Sequence, residues 1–133
     1  MALPAPIPAF LYGTAWKEER TEALVAQALA AGFRGIDTSH QRKHYFEAAV
    51  GQAVAGTPIA RAEPFLQTKF TFQAGQDKRL PYDPKADIAT QVNQSFESSL
   101  DHLGTDYLDS YLLHSPSSRG RLQAADIAAL RAL

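Results

Sequence analysis

The sequence predicts an α/β fold of repeated parallel βα units, and three observations carry that reading. Short apolar runs alternate with helix-forming segments four times, no glycine-rich dinucleotide fingerprint follows the first run, and chemistry-bearing side chains stand at successive strand ends. Residues 9–14 (AFLYGT) form an aromatic-rich apolar run ending in Gly13 and Thr14, which reads as a buried strand entering a turn. A helix over residues 18–31 follows, with Leu24, Val25, Ala28 and Leu29 apolar and Gly32 where a left-handed C-terminal cap sits. A second strand over residues 33–36 ends at Asp37. Residues 45–55 are Ala-rich and helix-permissive until Gly56 and Pro58 break them. The third strand, residues 64–68, ends at Lys69. Beyond a polar stretch with Gly75, Pro81 and Pro84, the residues Ile88, Val92, Phe96, Leu100 and Leu103 fall on one helical stripe, closed by Gly104. The fourth strand, residues 107–113, ends at His114, and residues 122–133 are helical by propensity. No linker or shift in composition marks a second domain.

A chain of 133 residues is enough for one domain with a core, and its 45% hydrophobic and 20% charged residues are ordinary for globular proteins. Lys plus Arg number 13 against 14 Asp plus Glu, and no basic stripe alternates with aromatics, so nucleic acid is not an expected partner. The absence of cysteine excludes a disulfide framework and a thiolate metal site. His40 and His44 lie four apart and would share a helix face, but no third ligand stands at a regular spacing from them, so no metal site is expected. The opening MALPAPIPAFLYG has neither a charged n-region nor a long apolar region, and nowhere do about 18 apolar residues run together. The expectation is a cytoplasmic protein with no membrane partner.

Parallel βα units build either an open doubly wound sheet or a barrel, and the turn after the first strand chooses between them. It reads GTAWKE, with one glycine, so the backbone cradle for a pyrophosphate is missing. A barrel instead gathers catalytic groups from the carboxyl ends of several strands onto one face. Asp37, Lys69 and His114 occupy three successive strand ends and would meet at one mouth despite lying tens of residues apart. Each has an ordinary use when taken alone: an Asp caps helices or forms turns, a Lys tips a strand into solvent, and a His finds a backbone partner. The joint placement is what points to chemistry. The fold class is therefore parallel (β/α) units forming about half of a (β/α)8 TIM barrel.

The segments GIDTSHQRKHYFEAAVG, FLQTKFT and YLDSYLLHSP, spanning residues 35–116, resemble three consecutive motifs of the aldo-keto reductase family, and Gly13-Thr14 resembles the Gly-Thr pair that ends its first strand. The resemblance implies NADPH-dependent reduction of a small-molecule aldehyde or ketone by an Asp/Tyr/Lys/His tetrad. It carries onto Asp37, Lys69 and His114 directly. The family's tyrosine usually stands closer to the aspartate, one residue further from the Glu-x-x-Val-Gly that opens the next helix. Counting back from Glu47, that place falls on His44, so SHQRKHY carries an insertion of about two residues by the family pattern. Tyr45, the one tyrosine of the loop, is assigned as the acid, with His44 as the alternative. The nicotinamide end of the cofactor maps onto Gly13, Thr14, Ala15 and Asp37, with Trp16 and Lys17 next nearest. The family's remaining cofactor contacts fall beyond Leu133.

Carbonyl reduction needs a hydride at carbon and a proton at oxygen, and a free phenol with a pKa of about 10 gives up its proton reluctantly. The expectation is that Lys69 lowers the Tyr45 pKa, Asp37 holds Lys69, and His114 donates to the developing alkoxide. Trp16 is read as lining the substrate mouth or packing at its rim. The connection over residues 70–87, with Phe72 and Tyr82, is read as a substrate-side loop or a solvated one. Residues 1–133 are expected to be a partial barrel truncated in or after the fourth helix, inactive by itself. A second class stays open: a non-catalytic half-barrel or interaction module that self-associates through its unpaired edges.

Overall fold

Four strands of the computed structural model, which describes residues 5–133, lie parallel in sequential order. They are β1 (Leu11–Gly13), β2 (Gly35–Asp37), β3 (Phe65–Phe70) and β4 (Ser110–Leu113), with α1 (Thr21–Ala30), α2 (Glu47–Ala55), α3 (Ile88–Leu103) and α4 (Ala124–Ala132) following them in turn. Residues 1–4, the start of the segment read for a leader, lie outside the described residues. The element order is the alternation expected from the sequence. Three strands are shorter than their apolar runs because the flanks have other work. The Phe33 amide closes the end of α1 on the Ala28 carbonyl at 3.0 Å, and before β4 the Asp109 amide still donates to the Leu66 carbonyl at 3.1 Å while the Asp109 carboxylate takes the Leu66 amide at 2.9 Å. The third strand runs one residue past Lys69. Residues 18–20 form a 3-10 turn before α1, and α2 begins only at Glu47, leaving Tyr45 in the preceding loop.

Strand alternation divides the side chains between two faces. On β3, Leu66, Thr68 and Phe70 are buried toward the helices while Gln67 and Lys69 point to the opposite, inner face. The helix side holds one cluster of Val25, Leu29, Ile36, Val50, Ala53, Leu66 and Leu103, and a second of Phe70, Phe72, Tyr82, Val92 and Ala129. That second cluster corrects the substrate-loop reading of Phe72 and Tyr82. Both rings pack on Phe70, and the Tyr82 hydroxyl donates to the Thr71 carbonyl at 2.7 Å, so the long connection is pinned by its aromatics instead of presenting them to a ligand.

The α3 stripe is only partly apolar in its buried positions. Val92 and Leu103 are covered, but so are Ser95 and Ser99, which meet a polar cluster around His40 and Glu47, and Gln91, whose amide donates to the Ala86 carbonyl at 3.0 Å. Asp87 accepts the Thr90 amide at 2.8 Å to begin α3, and Gly104, at φ +63°, closes it in the left-handed conformation that glycine adopts freely. Where α2 crosses α3, Gly51 lies so close to the His102 carbonyl that any β-carbon would overlap it. At the amino end of the sheet, Arg61 ties Thr105, the Tyr107 carbonyl and Asp109 together, fixing the entry to β4 against β3. Among the described residues no helix is long and apolar enough to cross a membrane.

Candidate active site

Register places the polar groups before any loop does. Asp37, Gln67 and Ser110 are partners across β2, β3 and β4, so their side chains form one rung on the inner face. The Ser110 hydroxyl donates to Gln67 Oε1 at 2.8 Å, and Gln67 Nε2 donates to Asp37 Oδ1 at 2.8 Å. Lys69, two residues beyond Gln67, therefore faces the same side. Its ammonium meets both Asp37 oxygens at 2.7 and 2.8 Å and the Thr38 carbonyl at 2.9 Å, with the two side chains only 13% and 20% exposed. Gln67 and Ser110 carry no motif of their own. The signal that finds them is the two-residue alternation through FLQTKF and DSYLLH, which puts them behind Lys69 and His114.

Tyr45 enters this group from the loop after β2. Its ring packs edge-on against His114 at 5.7 Å between centroids, and Lys69 Nζ lies 5.2 Å from its centre. His44 goes elsewhere: its ring lies 3.9 Å from that of Trp16, whose amide donates to the His44 carbonyl at 2.7 Å. Trp16 is 68% exposed and holds a φ of +62°, so it packs at the rim. Burial pushes the Tyr45 phenol above its ordinary pKa, and the Asp37 charge pushes the same way. This overturns the expected lowering by Lys69. The ammonium is matched by Asp37 at ion-pair distance, so little of its field is left to favour a phenolate, while burial penalises that anion directly.

His114, at the end of β4, is held by hydroxyls. Thr71 Oγ1 lies 2.8 Å and Ser39 Oγ 3.1 Å from its Nδ1. Burial lowers its pKa and the Lys69 charge lowers it further, so the ring is neutral near pH 7. Of the positions mapped to a cofactor, Thr14 is fully buried and spends both its hydroxyl (2.9 Å) and its amide (3.1 Å) on the Asp37 carbonyl, which locks the ends of β1 and β2. Gly13 is exposed on the inner face, with no heavy atom within 4 Å of where a β-carbon would stand, and Ala15 is half-buried.

A second polar cluster lies behind the same loop. Glu47, at the start of α2, is 3% exposed and receives hydroxyls from Thr68 and Ser99 on Oε2. His102 Nδ1 lies 3.1 Å and His40 Nδ1 3.7 Å from its Oε1. The Glu47 carboxylate raises the His102 pKa, while burial lowers that of His40. The pair weighed from sequence, His40 and His44, is split by the fold. His40 joins residues from two other elements, a grouping that no spacing in the chain announces.

A family model described as the aldo/keto reductase family matches residues 10–127. An aldo-keto reductase of Mycolicibacterium paratuberculosis is 41% identical over 101 residues, 75% of this chain and 30% of its own length. Morphine 6-dehydrogenase of Pseudomonas putida is 36% identical over 100 residues, 74% of this chain and 29% of its own. Among solved structures, an aldo/keto reductase from Brucella melitensis superposes on 95% of this chain and 43% of its own with a TM-score of 0.72 and 33% identity. One from a Medee basin deep-sea metagenome library covers 96% and 40%, with a TM-score of 0.73 and 26% identity. An aldo-keto reductase complexed with NADPH matches 95% and 39% with a TM-score of 0.69 at 25% identity. The chain thus spans about a third of the length of these curated relatives and about two fifths of the solved ones.

Proposed function

The chain belongs to the aldo/keto reductase family, and on that premise we propose that Asp37, Tyr45, Lys69 and His114 are the proton-handling side of an NADPH-dependent reductase of aldehydes or ketones. The observation that carries the proposal is the meeting of Tyr45 with both Lys69 and His114 at one sheet mouth. Tyr45 gives its proton to the carbonyl oxygen, and its raised pKa keeps the phenol protonated until that moment. In the tautomer whose Nδ1 accepts from the Thr71 hydroxyl, the neutral His114 carries its proton on Nε2 and offers it to the same oxygen, where negative charge develops. Asp37, itself fixed by the Gln67 amide, and the Thr38 carbonyl hold Lys69 beneath the phenol ring, positioned to receive the anion that proton transfer leaves behind.

The residues present fit the nicotinamide end of the cofactor. Gly13 leaves open space on the inner face and Ala15 adds little bulk, while Asp37 keeps a part-exposed carboxylate edge beside them. Thr14 would act through the backbone it locks. When bound, NADPH supplies the hydride to the carbonyl carbon.

The test replaces the amino-terminal part of the Mycolicibacterium paratuberculosis reductase, up to its counterpart of residue 127, with residues 10–127 of this chain. NADPH oxidation is then followed across an aldehyde and ketone panel, with the Tyr45→Phe form beside it. Activity that falls by about 100-fold or more in Tyr45→Phe supports the assignment. A folded, NADPH-binding chimera without activity, or one indifferent to Tyr45→Phe, overturns it. One observation favours a second reading, a non-catalytic half barrel that pairs with a copy of itself: Leu11 and Leu112, on the inner face, are 39% and 40% exposed. An inactive chimera together with a discrete dimer of the 133-residue chain would favour that reading.

A further inference from the structure

We propose that the hydroxyls of Ser39 and Thr71 are positioning groups that lock the tautomer of His114, keeping Nδ1 free of a proton and leaving Nε2 as the ring's donor. What Nε2 then does rests on the reductase reading, whereas the choice of nitrogen rests on the geometry around Nδ1. Ser39 stands two residues past Asp37 and Thr71 two past Lys69, so strand alternation sends both hydroxyls to the inner face. Parallel pairing reaches that far. The His40 amide donates to the Lys69 carbonyl at 3.2 Å and the His114 amide to the Phe70 carbonyl at 2.9 Å, which brings the two hydroxyls and the imidazole side by side.

The number of buried hydrogens decides the tautomer. Thr71 Oγ1 lies 2.8 Å and Ser39 Oγ 3.1 Å from Nδ1, and the two oxygens are 3.3 Å apart. Both residues are 1% exposed, and among the described residues each hydroxyl's only partners are the other hydroxyl and Nδ1. Each hydroxyl carries one hydrogen that needs an acceptor. With Nδ1 bare, Thr71 donates to it and Ser39 donates to Nδ1 or to Thr71 Oγ1, so both hydrogens are placed. With a proton on Nδ1, that proton occupies one oxygen and one hydroxyl donates to the other. The remaining hydroxyl hydrogen is then stranded. A buried donor without an acceptor is costly, so the form with Nδ1 bare is favoured.

Thr71 is itself held in place. Its carbonyl accepts from the Tyr82 hydroxyl at 2.7 Å, and its methyl group packs at Gly75, where a β-carbon would stand 2.8 Å from it. Burial and the Lys69 charge keep the His114 ring neutral near pH 7, so there is a tautomer to choose. A neutral imidazole donates only through the nitrogen that holds its proton, and Nδ1 facing two buried hydroxyls leaves that task to Nε2. Either hydroxyl suffices. With one of them gone, the survivor still places its hydrogen on a bare Nδ1 and is still stranded by a protonated one. Loss of both removes the preference.

The test is nitrogen-15 spectroscopy of the 133-residue chain labelled at its four histidines, recorded by magic-angle spinning at a pH where His114 is neutral. His114→Asn identifies the signals by their loss. The expected result is an excess of the Nε2–H form greater than that of free histidine by about tenfold or more, with the Nδ1 signal displaced by the hydroxyl proton it accepts. Ser39→Ala and Thr71→Val should each keep that excess, and the double variant should fall to the ratio of free histidine. Thr71→Ser combined with Ser39→Ala should restore it, which a merely structural role for the two side chains would not require. Circular dichroism checks folding. Should the double variant fail to fold, the original chain decides by its ratio and by the displacement of its Nδ1 signal. A proton on Nδ1, a ratio no higher than that of free histidine, or a folded double variant that keeps the original ratio would each overturn the proposal. The tautomer is read without activity, so an inactive chimera beside an intact Nε2–H form would count against the reductase reading and leave the lock standing.

Discussion

Lys69 grips both oxygens of Asp37, at 2.7 and 2.8 Å, from the neighbouring parallel strand, and this pair sits beneath the ring of Tyr45. The phenol is held above its ordinary pKa first by burial and then by the Asp37 charge. Asp37→Asn removes the second cause and leaves the Lys69 ammonium uncompensated beside the ring. The Tyr45 pKa should therefore fall. Ultraviolet titration of tyrosinate, with Tyr45→Phe to isolate its signal from the other four of the five tyrosines, reads the shift. A value that stays put or rises would contradict the cancellation argument.

Removing the other partner should cost stability. Lys69→Met strands a carboxylate that is 20% exposed with only the Gln67 amide left to it, and an unsatisfied buried polar or charged group costs about 1–3 kcal/mol or more. Urea unfolding of Lys69→Met, Asp37→Asn and the double variant forms a thermodynamic cycle. The double variant should lose clearly less than the two single losses added together. Simple additivity would mean that the pair is not coupled.

Gly51 marks where α2 presses on the end of α3. Alanine there places a methyl group on the His102 carbonyl, and neither helix backbone can yield cheaply, so a loss of about 1–3 kcal/mol follows from overpacking. Thermal unfolding of Gly51→Ala measures it. Gly104→Ala is a useful contrast, since its methyl group would meet open space and its cost comes from the positive φ alone. A Gly51→Ala chain as stable as the original would show that the two helices separate easily.

Much of this arrangement is legible in the chain, for identifiable reasons. The (βα) alternation, Gly104 as a stop and the convergence of Asp37, Lys69 and His114 follow from periodicity and from the rule that parallel strands share one carboxyl end. The polar rung of Gln67 and Ser110 is readable from strand alternation once the register is known, but register is a tertiary fact. The direction of the Tyr45 shift was not accessible, because it depends on how completely Asp37 neutralises Lys69 and on how much water the loop excludes. Ser95 and Ser99 on the covered face of α3 defeat a purely apolar stripe for the same kind of reason. Their partners, His40 and Glu47, come from elsewhere in the chain.

Acid should loosen the start of α4. The Asp126 carboxylate, wholly buried, accepts the amides of Ser117 and Gln123 at 2.6 Å each, and those bonds hold its pKa below the usual carboxylate value. A folded pKa below the unfolded one stabilises the protein above the unfolded pKa of about 3.9, and that contribution is lost as the pH falls through the folded value. Unfolding midpoints measured from pH 6 down to pH 3 should drop, and Asp126→Asn should flatten that slope. An unchanged slope in the variant would assign the acid sensitivity to other carboxylates.

The 133-residue chain, purified by itself, should neither oxidise NADPH with aldehydes nor stay monomeric. Its sheet ends at β1 on one side and β4 on the other, and among the described residues neither outer edge is paired. Unpaired edges with exposed apolar neighbours invite association, and here Phe10 is 75%, Leu122 54% and Leu130 47% exposed. A complete barrel of roughly 250 residues closes eight strands and covers the inner faces that this sheet leaves open at Leu11 and Leu112. Catalysis suffers for a related reason. Gly13, Ala15 and Asp37 offer the nicotinamide end a surface on one side only, so the reacting carbon would not be held within the tolerance that efficient hydride transfer needs. Size-exclusion over a range of concentrations should show species larger than 14.5 kDa, and fluorescence titration should show weak or no NADPH binding. A monodisperse monomer that binds NADPH tightly and reduces aldehydes would mean that four strands suffice to position both reactants.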